Sequence, residues 1–277
     1  MFAVAFAPRG RYQTLTHATS LRSAFPGAAI SVQQPCVLVF EHMQAGHAGI
    51  FCELLRAHGI AWRSVRFDLG EPVPDLEKFD ALWVMGGPMD VWQEAEHPWL
   101  VAEKAAIREA VVDRAMPYLG ICLGHQLLAD ALGGVVQPAT RPEVGVFEIA
   151  RTPAGERHAL LDGLPQRPRV LQWHAAEVVE PPAGATVLAS SIDCGVQAMA
   201  VGERALGLQF HLEVDHSTLE GWLSIPDNVA ALIKRCGLEG AHAFVDEAQT
   251  HMAEFNRSAR ALHANFWARP PAPGAAR

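Results

Sequence analysis

The stretch Gly120-Ile121-Cys122-Leu123-Gly124-His125-Gln126 puts a cysteine between glycines, after an apolar run and before a helix-forming one. G-x-C-x-G at a strand-to-helix junction predicts a nucleophile elbow, a sharp turn in which Cys122 sits in a strained conformation. At the first turn of a helix the positive end of the dipole favours thiolate over thiol. The backbone N–H of Leu123 would then face the side where an oxyanion develops. A thiol nucleophile needs a base, and Leu208-Gln209-Phe210-His211-Leu212-Glu213 supplies one. In an extended chain residues two apart face the same way, so Glu213 can orient the His211 imidazole. His211 would take the thiol proton and later protonate a leaving amine. Met85-Gly86-Gly87-Pro88 is the third segment: a glycine turn lets backbone approach a ligand closely, and its N–H can be a second oxyanion donor. Each segment alone has a plainer reading, as a buried cysteine in a turn, one structural histidine among 13, and an ordinary loop. Joined in one chain they point to acyl transfer through a cysteine thioester.

The elements that must position these groups alternate. Strands are expected at 36–41, 62–67, 80–85 and 118–121, with helices at 47–58, 98–114 and 123–132 between and after them. In the second helix Leu100, Ala105, Ile107 and Val111 form the expected apolar side. Short buried strands alternating with helices imply an α/β fold, a three-layer, mostly parallel sheet flanked by helices. Ligands in such sheets sit at the carboxyl ends of the strands. Beyond Gly134 shorter strands are expected at 144–150, 169–173, 186–190, 196–201 and 205–210. A helix should follow from about Ser217 and another at 241–264, packed on the domain. There is no internal repeat and no glycine-rich phosphate-binding loop.

Composition narrows the function classes. Of 277 residues 50% are hydrophobic and 19% charged, with mean hydropathy +0.10, enough apolar material to exclude a disordered chain. The net charge of −8 and the lack of a basic run argue against nucleic acid or anionic membrane as partners. The five cysteines are odd in number and scattered, which fits neither a disulfide framework nor a zinc site. Cys36, Cys52, Cys194 and Cys236 are expected to be buried small apolar residues in a reducing, cytoplasmic protein. Residues 1–35 carry Arg9, Arg11 and Arg22 but no acidic residue or lysine. They are expected to be a disordered extension or an upstream mis-called start, with a transit peptide as the alternative. Residues 270–277 read as a frayed Pro/Ala-rich tail. Glu94, Glu96 and His97 match no ligand spacing and are expected to cap a helix that Pro98 opens, so no metal and no cofactor is expected. Trp83, Trp92, Trp99 and Trp173 are expected in the core or lining a pocket.

Together the segments resemble the class I glutamine amidotransferases of the Cys-His-Glu triad type, most of all the stand-alone, GMP-synthase-like members. The resemblance covers about 36–225, with residues 226–269 as a helical C-terminal extension, and implies a flavodoxin-like fold. It implies hydrolysis of a glutamine side-chain amide through a γ-glutamyl thioester on Cys122. His211 and Glu213 would complete the triad, and the N–H groups of Gly87 and Leu123 would form the oxyanion hole. Gln126 would help to hold the substrate. Trp173-His174-Ala175-Ala176 looks like the family's aromatic-His-Ser-x stretch, and the backbone at Ala175 and Ala176 would meet the amino-acid end of the substrate. Two departures stand out: His211-Leu212-Glu213 replaces the usual H-P-E, and Ala175 replaces the common serine. No S-G-G-x-D-S loop is present, so a separate synthase subunit would have to hold any ammonia acceptor. The alternative is a γ-glutamyl hydrolase or peptidase with the same triad, and a catalytically idle regulatory protein on the same fold ranks below it.

Overall fold

The computed structural model describes residues 34–268. The expected tail, and all but the last two residues of the expected leader, therefore lie outside the described residues. Strands β1 (Cys36–Glu41), β2 (Ala61–Arg66), β3 (Ala81–Val84) and β4 (Tyr118–Ile121) alternate with helices α1 (Ile50–Ala57) and α2 (Trp99–Arg108). After β4 come α3 (Leu123–Ala131), β5 (Val135–Glu148), β6 (Ala150–Arg151), the short α4 (Pro153–Arg157) and β7 (Arg169–Glu180). The chain then forms β8 (Ala185–Ser190), β9 (Ala198–Val201), β10 (Ala205–Leu208), α5 (His216–Leu223) and α6 (Pro226–Trp267).

Eight strands form one sheet in the order β2-β1-β3-β4-β10-β9-β8-β6. Pairing is parallel from β2 to β10 and antiparallel beyond, so the sheet is mixed, with helices on both faces. Strands β3, β4 and β10 are buried at every position, as central strands covered on both faces must be. Alternation along β1 divides the core. Val37 and Val39 join one cluster with Phe51, Trp83, Phe255 and Leu262, whereas Leu38 and Phe40 join the other with Leu82, Leu100 and Leu127. The β4–β10 register pairs Gly120 with Gly207 and Ile121 with Leu208. The two segments expected to carry chemistry thus leave the sheet side by side at its carboxyl edge.

Several expectations need correction. Strands β5 and β7 extend well beyond 144–150 and 169–173 into a two-stranded antiparallel ribbon of their own, with a register shift between Pro138 and Glu143. Pro138, Arg141 and Pro142 interrupt the alternation that would have shown the first half of β5. Helix α6 starts at Pro226 instead of Ala241 and is broken at Gly237, whose φ of 74° suits a residue without Cβ. In α2 Leu100 and Ile107 are buried as expected and Val111 packs partly buried beyond the helix, but Ala105 is exposed, and Glu103 and Ala106 complete the buried face instead. Cys236 is exposed and Cys36 and Cys52 are half-buried, leaving only Cys194 of those four as a core residue. Trp92 is 45% exposed, whereas Trp83 lies in the core and Trp99 stacks on Phe67. Pro98 takes the N-cap position of α2 without a side-chain cap, and Glu94 pairs with Lys104 at 2.7 Å instead. Among the described residues no helix is long and apolar enough to cross a membrane.

Candidate active site

Cys122 is the residue before α3, with φ 53° and ψ −105°. A non-glycine residue there costs about 1–3 kcal/mol and persists only where the surroundings over-determine it. They do so here. The Cys122 N–H donates to the Leu208 carbonyl at 2.8 Å, and the Tyr118 hydroxyl donates to the Gly124 carbonyl at 2.8 Å. A Cβ on Gly120 would lie 2.5 Å from the Gly124 oxygen, and one on Gly124 would lie 2.1 Å from the Val84 oxygen. Both glycines of the elbow are therefore required by backbone contact.

His211 leaves β10 three residues after Leu208 and is pinned by its N–H, which donates to the Leu171 carbonyl at 2.8 Å. Its Nδ1 lies 2.6 Å from Glu213 Oε1, and the imidazole also hydrogen-bonds the Cys122 thiol. The Trp222 ring meets it edge-on with centroids 4.9 Å apart. Burial by itself would pull the imidazolium down, but the Glu213 carboxylate and the sulfur outweigh it and hold His211 up at about 10.

Gly86 sits against both groups: a Cβ on it would be 3.2 Å from His211 Cε1 and 3.5 Å from Cys122 Cβ. Gly87 follows on the cleft wall, pressed between His42 and Leu123. Leu123 is the first residue of α3, where backbone N–H groups have no partner within the helix. Gln126 Nε2 donates to the Ala176 carbonyl at 3.0 Å and to Gln209 Oε1 at 3.1 Å. Ala175 and Ala176, on β7, border the same cleft. Cys122, His211, Glu213, Gly87, Gln126, Ala175 and Ala176 thus share one cleft of about 470 Å³, with Leu123 directly behind it.

Sequence reasoning missed part of the site. Gln209 Nε2 donates to Cys122 Sγ at 3.8 Å; its neighbour His211 was the only signal for it. Asn228, Leu232 and Arg235 bring the first part of α6 into the cleft wall. His42 and Glu103 lie behind the Gly86-Gly87 turn. Glu143, His174 and Cys194 have ligand-type atoms within 4.8 Å of one another. Hydrogen bonds use most of that set: Glu143 accepts from Ser191, Gln197 and His174, and burial pushes the Cys194 thiol up to about 12. The trio reads as a buried polar network with no free donor atoms for an ion.

This geometry has counterparts among known proteins. The family model described as Glutamine amidotransferase class-I matches residues 51–223. One of the subunits of the glutamine-hydrolysing GMP synthase of Saccharolobus solfataricus is 43% identical over 148 residues, 53% of this chain and 74% of that protein. A putative glutamine amidotransferase-like protein of Salmonella typhimurium is 36% identical over 169 residues, covering 60% of this chain and 70% of its own length. The crystal structure of a glutamine amidotransferase from Thermotoga maritima superposes with a TM-score of 0.75 at 25% identity, over 84% of this chain and 98% of that one.

Proposed function

The chain belongs to the class-I glutamine amidotransferase family, and from that premise we propose that Cys122, His211 and Glu213 cleave the side-chain amide of glutamine. The observation that carries the reading is the Cys122–His211–Glu213 relay at the carboxyl edge of the sheet, with Gly86 against both reacting side chains. The Cys122 thiolate attacks the amide carbon, forming the C–S bond and an oxyanion that the N–H groups of Gly87 and Leu123 receive. The His211 imidazolium gives its proton to the amide nitrogen as the C–N bond breaks, releasing ammonia and leaving a γ-glutamyl thioester. Water then attacks the thioester while His211 takes its proton. The thiolate departs, glutamate leaves and the ion pair is restored. Glu213 holds the ring by Nδ1 throughout, so Nε2 faces the chemistry.

The GMP synthase relatives are, by their description, single subunits of a glutamine-hydrolysing synthase. By that likeness we propose that the ammonia released here passes to a separate synthase-type subunit. The test is ammonia release from glutamine by wild type and Cys122→Ala. Wild-type turnover should fall to background in the variant, with thermal unfolding unchanged within a few degrees. Undiminished turnover in Cys122→Ala would overturn the assignment.

A further inference from the structure

We propose that His42, held by Glu103, is the positioning residue that fixes the Gly86-Gly87 peptide so that the Gly87 N–H meets the developing oxyanion. The inference rests on the amide-hydrolase reading above. His42 directly follows β1, and both it and Glu103 are 0% exposed. Its Nδ1 lies 3.0 Å from the Gly86 carbonyl oxygen and its Nε2 lies 3.0 Å from Glu103 Oε1. A carbonyl only accepts, so Nδ1 carries the hydrogen and donates it to Gly86. The ring has little room to swing away, because it is fully buried and packs against the stacked Phe67–Trp99 pair, with centroids at 6.0 and 5.4 Å.

The consequence for Gly87 follows from peptide geometry. In a trans peptide C=O and N–H point in opposite directions. Anchoring the Gly86 oxygen on His42 therefore turns the Gly87 N–H away from His42. A peptide between two glycines has little torsional restraint of its own, so this anchor decides which way the plane faces. The turn is also boxed in: a Cβ on Gly87 would lie 2.8 Å from His42 Cβ and 3.0 Å from Leu123 Cδ2. Glu103 explains itself on the same basis. It is a carboxylate on the buried face of α2, its Oε2 has no hydrogen-bond partner among the described residues, and its Oε1 is spent on holding His42.

His42→Asn and His42→Gln separate this role from simple packing. Asparagine can offer Nδ2 where His42 offers Nδ1 and so keeps the Gly86 anchor. Glutamine reaches towards Glu103 and gives the anchor up. Ammonia release should show kcat in His42→Gln lowered about 100-fold with KM for glutamine within about threefold, the pattern of a lost oxyanion donor. In His42→Asn kcat should recover to within about tenfold of wild type. Alkylation of Cys122 by iodoacetamide develops no oxyanion, and its rate should stay within about twofold in both variants. Equal kcat in the two variants, or alkylation falling in step with kcat, overturns the inference. A wild type that releases no ammonia from glutamine overturns the reading on which it rests.

Discussion

His174 Nε2 lies 3.0 Å from Glu143 Oε2, while Nδ1 of the same ring donates to the Ala176 carbonyl at 3.0 Å. His42 is built alike, with Nδ1 on a backbone carbonyl and Nε2 on a buried glutamate. One pair grips the turn at Gly86, the other the β7 stretch at Ala176, and both stretches border Cys122's cleft. His211 is wired the other way round: Nδ1 takes the carboxylate, and Nε2 is left for the thiol. Which nitrogen meets the glutamate separates the two histidines that hold backbone from the one proposed to move protons.

The Glu143 network should be costly to break. Glu143→Ala leaves His174, Ser191 and Gln197 without their shared acceptor in a buried site. A loss of about 3–5 kcal/mol is expected, because removing one partner strands the others. Glu143→Gln, which still accepts, should lose less. Urea unfolding of both variants reads the difference, and equal midpoints would refute it.

The relay should show a graded loss. His211→Asn removes the proton carrier and should lower kcat by about 10⁴-fold, whereas Glu213→Gln keeps a hydrogen bond to Nδ1 and should lose less. Steady-state ammonia release at saturating glutamine tests the order, and a larger loss in Glu213→Gln would contradict it.

The elbow trades stability for reactivity. Cys122→Ala keeps a Cβ at φ 53°, but Cys122→Gly does not. Both variants should be inactive, and the glycine variant should unfold at least as late as the alanine variant, gaining about 1 kcal/mol from relieved strain. Gly124→Ala is the converse: its Cβ would lie 2.1 Å from the Val84 oxygen, and several kcal/mol should be lost. Thermal unfolding of the three proteins checks both signs.

Two histidines set opposite pH limits. Burial, helped by the His174 charge, holds His125 down at about 3 against an ordinary 6.5. The unfolded chain takes up a proton that the folded chain refuses. Stability present above pH 6.5 should therefore fall towards pH 3, by up to about 1.4 kcal/mol per pH unit. His211, held up at about 10, works the other way: its contribution is complete below pH 6.5 and is lost as the pH rises through about 10. Unfolding free energies measured across both windows, with His125→Gln flattening the acid limb alone, test the assignment.

The contiguous parts of the site were legible because their residues are neighbours in the chain. Cys122 between glycines, His211 two before Glu213, and the Gly86-Gly87-Pro88 turn at the end of β3 are all local patterns. The pairs that hold the backbone were not, since His42 finds Glu103 61 residues away and His174 finds Glu143 31 away. No periodicity links such partners, and Glu103 occupies a helix position where the pattern asks for an apolar residue. Strands β1, β3 and β4 were legible as short apolar runs and β2 by its alternation, but the first half of β5 hid behind two prolines. The start of α6 hid behind polar residues and Gly237.

That glycine has a wider consequence. Before it, Asn228 and Arg235 wall the cleft and Leu232 reaches from the cleft wall into the core; after it, Phe244, Met252, Phe255 and Phe266 are sunk in the core. Cys122, His211 and Glu213 belong to other parts of the chain, at the carboxyl edge of the sheet. Residues 226–236 are thus a partition, tied down by Leu232 in the core, by Asn228 on the Trp222 carbonyl and by Arg235 on the Pro142 carbonyl. Altering their side chains should change what the cleft admits while leaving the rate of the chemical step alone, in which case selectivity and turnover would be carried on separable pieces of the same polypeptide.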